Sequence, residues 1–121
     1  MFSEEIGKRT EETLLKHLQA FGSGDVDAIM TDYDEASVLI MPDGPLHGTA
    51  EIRSGFESLL ADLPPGSTIE VSKQIVEGEI AYIVWSGESE KLRIPFATDT
   101  FVVRDGKIVV QTFTPQMEEK A

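Results

Sequence analysis

Cysteine is absent from the 121 residues. The chain therefore has no disulfide, no thiolate nucleophile and no cysteine-held zinc or iron–sulfur cluster. Basic residues are scarce, with 10 Lys and Arg against 22 Asp and Glu and a net charge of −12. That balance excludes the basic footprint that nucleic acids and anionic membranes require. No stretch approaches the roughly 18 apolar residues of a membrane-crossing helix. The start, Met1-Phe2-Ser3-Glu4-Glu5, is acidic, where a signal peptide carries positive charge. The expectation is a cytoplasmic protein with no nucleic-acid or membrane partner. Also missing are a His-x-His or His-x-x-x-His spacing, a Gly-x-Gly-x-x-Gly or Walker loop, and a Gly-x-Ser-x-Gly elbow. No metal, cofactor or nucleotide is expected, and no serine-hydrolase chemistry.

What is present is enough for one folded domain over residues 1–121. Hydrophobic residues make up 40% of the chain and run through its whole length, which excludes a disordered segment as the main body. Residues 1–62 carry 13 acids and 4 bases, and residues 63–121 carry 9 and 6. The acidic half is the helical half, so its charge reads as a solvated face.

Ser3 is placed to cap a first helix with Glu4 and Glu5 in its first turn. Ile6, Thr10, Leu14, His17 and Phe21 form one stripe along it. Gly22-Ser23-Gly24 ends that helix, and Asp25 caps a second carrying Val26, Ile29, Met30 and Tyr33 on one face. Ser37 to Met41 reads as a buried strand, and Pro42-Asp43-Gly44-Pro45 as a turn. A third helix opens at Gly48-Thr49 and stops at Pro64-Pro65-Gly66. Beyond Ser67 the apolar period becomes two, predicting a half-buried strand with Ile69, Val71 and Ile75 inward. Ile80 to Trp85 reads as a central strand, and Leu92 to Arg104 as a longer one with a bulge or edge at Pro95. Asp105-Gly106 predicts a two-residue hairpin turn pairing Arg104 with Lys107. Counted from that turn, Asp99 lies opposite Thr112, Phe101 opposite Val110 and Val103 opposite Ile108 on one face. Thr100 opposite Gln111 and Val102 opposite Val109 form the other. Met117 to Ala121 reads as a frayed tail. Three helices followed by a curved sheet make an α+β domain.

Several of these pieces, in order, resemble the nuclear-transport-factor-like superfamily. They are Phe21-x-x-Gly24-Asp25-Val26-Asp27-Ala28-Ile29, Tyr33, Val38-Leu39-Ile40-Met41-Pro42-Asp43-Gly44, His47-Gly48-Thr49-Ala50-Glu51-Ile52, and the hairpin from Asp99 to Val109. That superfamily includes ketosteroid isomerases and SnoaL-like polyketide cyclases. The resemblance implies a single SnoaL-like domain shaped as a cone: three helices packed in a curved mixed or antiparallel sheet, a pocket inside, and a homodimer across the sheet's outer face. It implies fold more than activity, because one fold hosts many functions.

The residues themselves point to Asp99. A lone carboxyl on an apolar strand face raises its pKa or finds a partner, and a raised pKa suits acid–base work near neutrality. The alternative is a wet Asp99, or one satisfied by Thr112 or a backbone amide. By the resemblance, Asp99 falls where ketosteroid isomerases keep a protonated carboxylic acid. His17 falls at their oxyanion-hole tyrosine and Met41 at their general-base aspartate. Methionine takes no proton, so that family's isomerisation is not expected here. Limonene-epoxide hydrolases, another branch, use an Arg-x-Asp on a pocket strand, and this chain has Ala97 at the corresponding position. His17 reads as a core residue or as a partner of Asp99, and His47 as a loop residue or a contact at the pocket rim. Tyr33, Met41, Trp85, Phe101 and Thr112 are the candidate ligand contacts. Phe21, Phe56 and Phe96 are read as core. Two functions stand side by side: acid–base catalysis of isomerase, cyclase or dehydratase type on a small hydrophobic molecule, and a non-catalytic ligand-binding or dimeric assembly module.

Overall fold

The structure, a computed structural model, describes residues 3–120 and, of Ser3, the backbone alone. The predicted Ser3 cap and the ends Met1, Phe2 and Ala121 lie outside the described residues. Helix α1 runs Ser3–Ser23, and its stripe of Thr10, Leu14, His17 and Phe21 is buried. Gly24 breaks it at φ 69°, a left-handed conformation, and packs so close to Pro65 that a Cβ would sit 2.7 Å from the ring. Asp25 then caps α2, Val26–Met30, by accepting the Ala28 N–H at 3.0 Å. This helix stops one turn short of the prediction, leaving Asp32 and Tyr33 in the following turn.

Strand β1, Val38–Met41, pairs with β2, Gly44–His47, in a tight hairpin. The first strand and the turn at Pro42-Asp43 are as the sequence pattern has them, but Gly44-Pro45, read as part of the turn, already belong to β2. Pro45 is tolerated because β2 is the sheet's edge, where a missing N–H breaks no ladder. Helix α3, Gly48–Asp62, follows with Ile52, Phe56 and Leu60 buried. The long strands are β3, Thr68–Glu77; β4, Ile80–Glu88; β5, Leu92–Arg104; and β6, Lys107–Glu119. They complete one six-stranded sheet in the order β2-β1-β6-β5-β4-β3. Only β1 and β6 run parallel, so the sheet is mixed. The helices pack on its inner face to give the cone-shaped α+β fold. The expected frayed tail is strand as far as Glu119, which pairs with Leu92. Among the described residues, no helix is long and apolar enough to cross a membrane.

Bulges decide which side chains face inward, because one extra residue reverses the alternation. The turn at Asp105-Gly106 is as predicted, with φ of 51° and 74°, and Arg104 pairs with Lys107. Two residues later the register slips. Val103 pairs with Ile108 but Val102 with Val110, so Val109 is the extra residue of a bulge. Everything beyond it differs from the predicted pairing: Phe101 faces Gln111, Thr100 faces Thr112 and Asp99 faces Phe113. Gln111 turns inward, and Thr112 turns outward. A second bulge around Ile94-Pro95, where the proline predicted one, puts Phe96 on the outer face at 51% exposure. Phe96 is thus not core, unlike Phe21 and Phe56. Edge strand β3 is bulged after Val71 and leaves Val71 and Ile75 exposed, while Ile69 and Val76 pack on the core.

Candidate active site

The inner face of β5 carries Asp99 into the cone at 5% exposure. On β4, Ile83 lies directly opposite and Trp85 two residues along; on β6, Phe113 lies opposite and Gln111 two residues along. Diagonal neighbours of this kind are within reach of long side chains. The Trp85 Nε1–H donates to one oxygen of Asp99 at 2.8 Å, and the Gln111 Nε2–H donates to the other at 2.7 Å. The Tyr33 hydroxyl in turn donates to Gln111 Oε1. Tyr33, Gln111, Asp99 and Trp85 thus form one chain of buried hydrogen bonds. Two side chains satisfy Asp99, and neither Thr112 nor a backbone amide takes part. Thr112 Oγ1 accepts from the Thr100 N–H on the other side of the sheet.

Burial pushes the Asp99 pKa above its ordinary value, opposed by the donors Trp85 and Gln111 and then by the charge of His17. Desolvation wins because charge is removed from water while both donors are neutral. Tyr33 is pushed well above its ordinary value by burial, reinforced by the negative charges of Asp99 and Asp32. It therefore remains a neutral donor at any working pH. Each carboxylate oxygen has a second lone pair, and those of Asp99 are left for whatever enters the cavity.

His17, on the buried stripe of α1, is packed edge-on against Phe101, Phe56 and Tyr33, with ring centroids 5.3, 5.9 and 6.0 Å away. Its Nδ1 is turned to Asp32, 3.6 Å from Oδ2, and not to Asp99 as the dyad reading expected. Asp32 is fully buried, and its other oxygen accepts from Lys16 Nζ at 3.0 Å. Nothing in the sequence pattern singled out Asp32. It stands beyond the capped helix in a run of acids, Asp32-Tyr33-Asp34-Glu35, that reads as solvated.

These side chains border a cavity of about 40 Å³ lined by His17, Met41, Trp85, Asp99, Phe101 and Gln111, among mainly apolar neighbours. This is well below the volume of typical ligand pockets, about 300–1,000 Å³. Met41, Gly55, Leu59 and Phe113 also border a wider open groove. Of the predicted contacts, His17, Met41, Trp85, Asp99 and Phe101 converge on the cavity. Tyr33 reaches it through Gln111, Thr112 does not reach it, and His47 is an exposed residue at the start of α3. Among the described residues no cluster of side chains is arranged to hold a metal ion.

The SnoaL-like domain family matches residues 14–111. The chain belongs to that family. No curated protein matches it in sequence. Among solved structures, this SnoaL-like domain is similar to the epoxide hydrolase/cyclase-like enzyme SalBIII of pyran-ring formation in the polyether salinomycin. The TM-score is 0.79 at 19% identity, over 98% of this chain and 100% of that one. A Kribbella flavida protein provisionally classed as a ketosteroid isomerase is similar at TM-score 0.75 and 14% identity, over 90% and 78% of the two chains. A nuclear-transport-factor-like protein of unknown function from Burkholderia xenovorans has TM-score 0.73 and 22% identity, over 94% and 88%. At these identities the likeness is one of fold. The nuclear-transport-factor-like resemblance read from the sequence is the fold observed.

Proposed function

We propose that this SnoaL-like domain carries out acid–base chemistry of isomerase, cyclase or dehydratase type on a small hydrophobic molecule, with Asp99 as the acid–base group and His17 beside it. The observation that carries the reading is a carboxyl buried in an apolar cavity, held by two neutral donors, with its pKa raised by desolvation. A group so placed keeps its proton to a higher pH than a surface acid does. It is then able to donate to an oxygen that gains charge and to take the proton back. The apolar lining selects the substrate class, and proton transfer alone leaves the oxidation state unchanged. SalBIII and the Kribbella protein, named for cyclisation and isomerisation, support the reaction type by analogy of fold. Met41, which the resemblance places where ketosteroid isomerases keep their general base, has no proton to exchange and lines the same cavity.

A second reading, a ligand-binding module without catalysis, is favoured by the small volume and by Met41. The two separate in D2O. Wild type and Asp99→Asn are each incubated with a panel of small enolisable ketones, and deuterium uptake is read by mass spectrometry. Uptake that depends on Asp99 is expected. Binding of the panel without uptake would give the site to the binding reading, and equal uptake by both proteins would remove Asp99 as the acid–base group.

The reading includes a homodimer across the outer sheet face. Ile40, Ile75, Ile80 and Phe96 are 43–51% exposed there, with Tyr82, Val102 and Val110 among them. The face is made by Val110 and Thr112, and not by the Val109 and Gln111 of the predicted register. A cytoplasmic setting belongs to the same proposal.

A further inference from the structure

Two buried polar atoms among the described residues lack a hydrogen-bond partner, Nδ1 of His17 and Oδ2 of Asp32, and they face each other at 3.6 Å. Buried polar groups are almost always paired. Leaving either one orphaned costs about 1–3 kcal/mol. A fully buried carboxylate is also a costly way to fill space, and nothing in the packing requires one at Asp32. Lys16, anchored on the other oxygen from a mostly exposed side chain, balances the charge and leaves Oδ2 pointing at the imidazole.

We propose that Asp32 is a positioning residue for His17: it holds the ring proton on Nδ1, and so presents Nε2 to the cavity as an unprotonated acceptor across from Asp99. The inference rests on the reading of that cavity as an acid–base site. His17 borders the cavity, and with one edge of the ring turned to Asp32 the opposite edge, carrying Nε2, is the one left for a guest. Three aromatic rings fix where the imidazole sits, but rings do not choose a tautomer. A carboxylate at Nδ1 does. The charged or titratable groups around His17 are Asp32 behind it, Asp99 from β5 and the Tyr33 hydroxyl. Of the two carboxylates, Asp32 is the one within 4 Å of a ring nitrogen.

The pair gives the site a base where Met41 supplies none. In a turnover of the proposed kind, His17 Nε2 takes a proton from a substrate O–H or from a C–H beside a carbonyl. The imidazolium formed is stabilised by Asp32 while the carboxyl of Asp99 gives its proton to the oxygen that gains charge. The imidazolium then returns a proton to the product and Asp99 recovers its own. No proton or electron is left over.

The test is the tautomer, read by nitrogen–proton correlation across the imidazole rings of the intact, isotope-labelled protein at a pH where both histidines are neutral. Exposed His47 serves as the internal reference. Wild type is expected to show His17 protonated at Nδ1. In Asp32→Asn, Lys16 keeps the amide oxygen, the amide NH2 faces Nδ1, and the ring proton moves to Nε2. Lys16→Met, which spares Asp32, is expected to retain the wild-type tautomer. If Asp32→Asn does not fold, the wild-type and Lys16→Met spectra still decide. A wild-type ring protonated at Nε2, a mixture like that of His47, or an unchanged tautomer in folded Asp32→Asn would overturn the proposal. None of these readouts needs substrate, so the acid–base reading of Asp99 can fail separately from the His17 tautomer.

Discussion

Asp99 draws its chemistry from a conflict between burial and hydrogen bonding, and that conflict has a stability signature. Its folded-state pKa is raised, so between the ordinary and the raised value the folded protein holds a proton that the unfolded chain has lost. The contribution of Asp99 is therefore fully present below the ordinary carboxylate pKa and is lost as pH rises through the folded value. For one group the slope is at most about 1.4 kcal/mol per pH unit. Asp99→Asn removes this loss, and the network can reverse to suit the amide. Asn at this position would donate to Gln111 Oε1, and the Gln111 amide would donate to the Tyr33 oxygen. Thermal unfolding should find the variant folded at pH 8 and at least as stable as wild type, with the difference shrinking toward pH 4. Gln111→Leu should do the opposite. It strips partners from Asp99 and Tyr33, at roughly 1–3 kcal/mol for each orphaned group, and urea unfolding measures the sum. Asp99, His17 and Trp85 were legible as individual residues because each falls on an apolar face. Asp32 was not, because it stands in a run of acids, and Gln111 was not, because the bulge at Val109 moves it from the outer face to the inner one.

At the level of elements, the helices were easier to read than the strands for a physical reason. A helix keeps its period from cap to cap, so Asp25, Gly24 and the Leu14–His17–Phe21 stripe fix α1 and the start of α2. A strand keeps its period only until a bulge. Val109 carries no mark that distinguishes it from Val110, yet it exchanges the fates of Gln111 and Thr112. Only Pro95, which cannot donate to a ladder, announced a bulge in advance. Pro45 misled in the other direction, since an edge strand accepts it as readily as a turn does. The bulge at Val109 is therefore part of the site, holding Gln111 within reach of both Asp99 and Tyr33. Inserting one residue after Val109 should turn Gln111 and Phe113 outward and destabilise the domain by several kcal/mol, because apolar and polar sides exchange along the rest of β6. Circular dichroism with urea titration gives the magnitude. An insertion variant as stable as wild type would show that the register is set elsewhere.

The whole molecule is a closed cone on one side and an open sheet on the other, and the proposed function uses both. The inner face holds Asp99 and His17, and the outer face leaves Ile40, Ile75, Ile80 and Phe96 uncovered on a chain of net charge −12. Paired copies would cover those side chains. Sedimentation at micromolar concentration should find a dimer, and the double variant Ile75→Glu with Ile80→Glu should sediment as a folded monomer. A wild-type monomer would remove the dimer from the account. The central claim is narrower: the cone holds a carboxyl whose pKa is raised by its apolar surroundings. The direct measurement is the carbon-13 resonance of the Asp99 carboxyl, followed against pH in the intact protein. The account predicts a titration midpoint well above that of the exposed aspartates in the same spectra. A midpoint indistinguishable from theirs would contradict it.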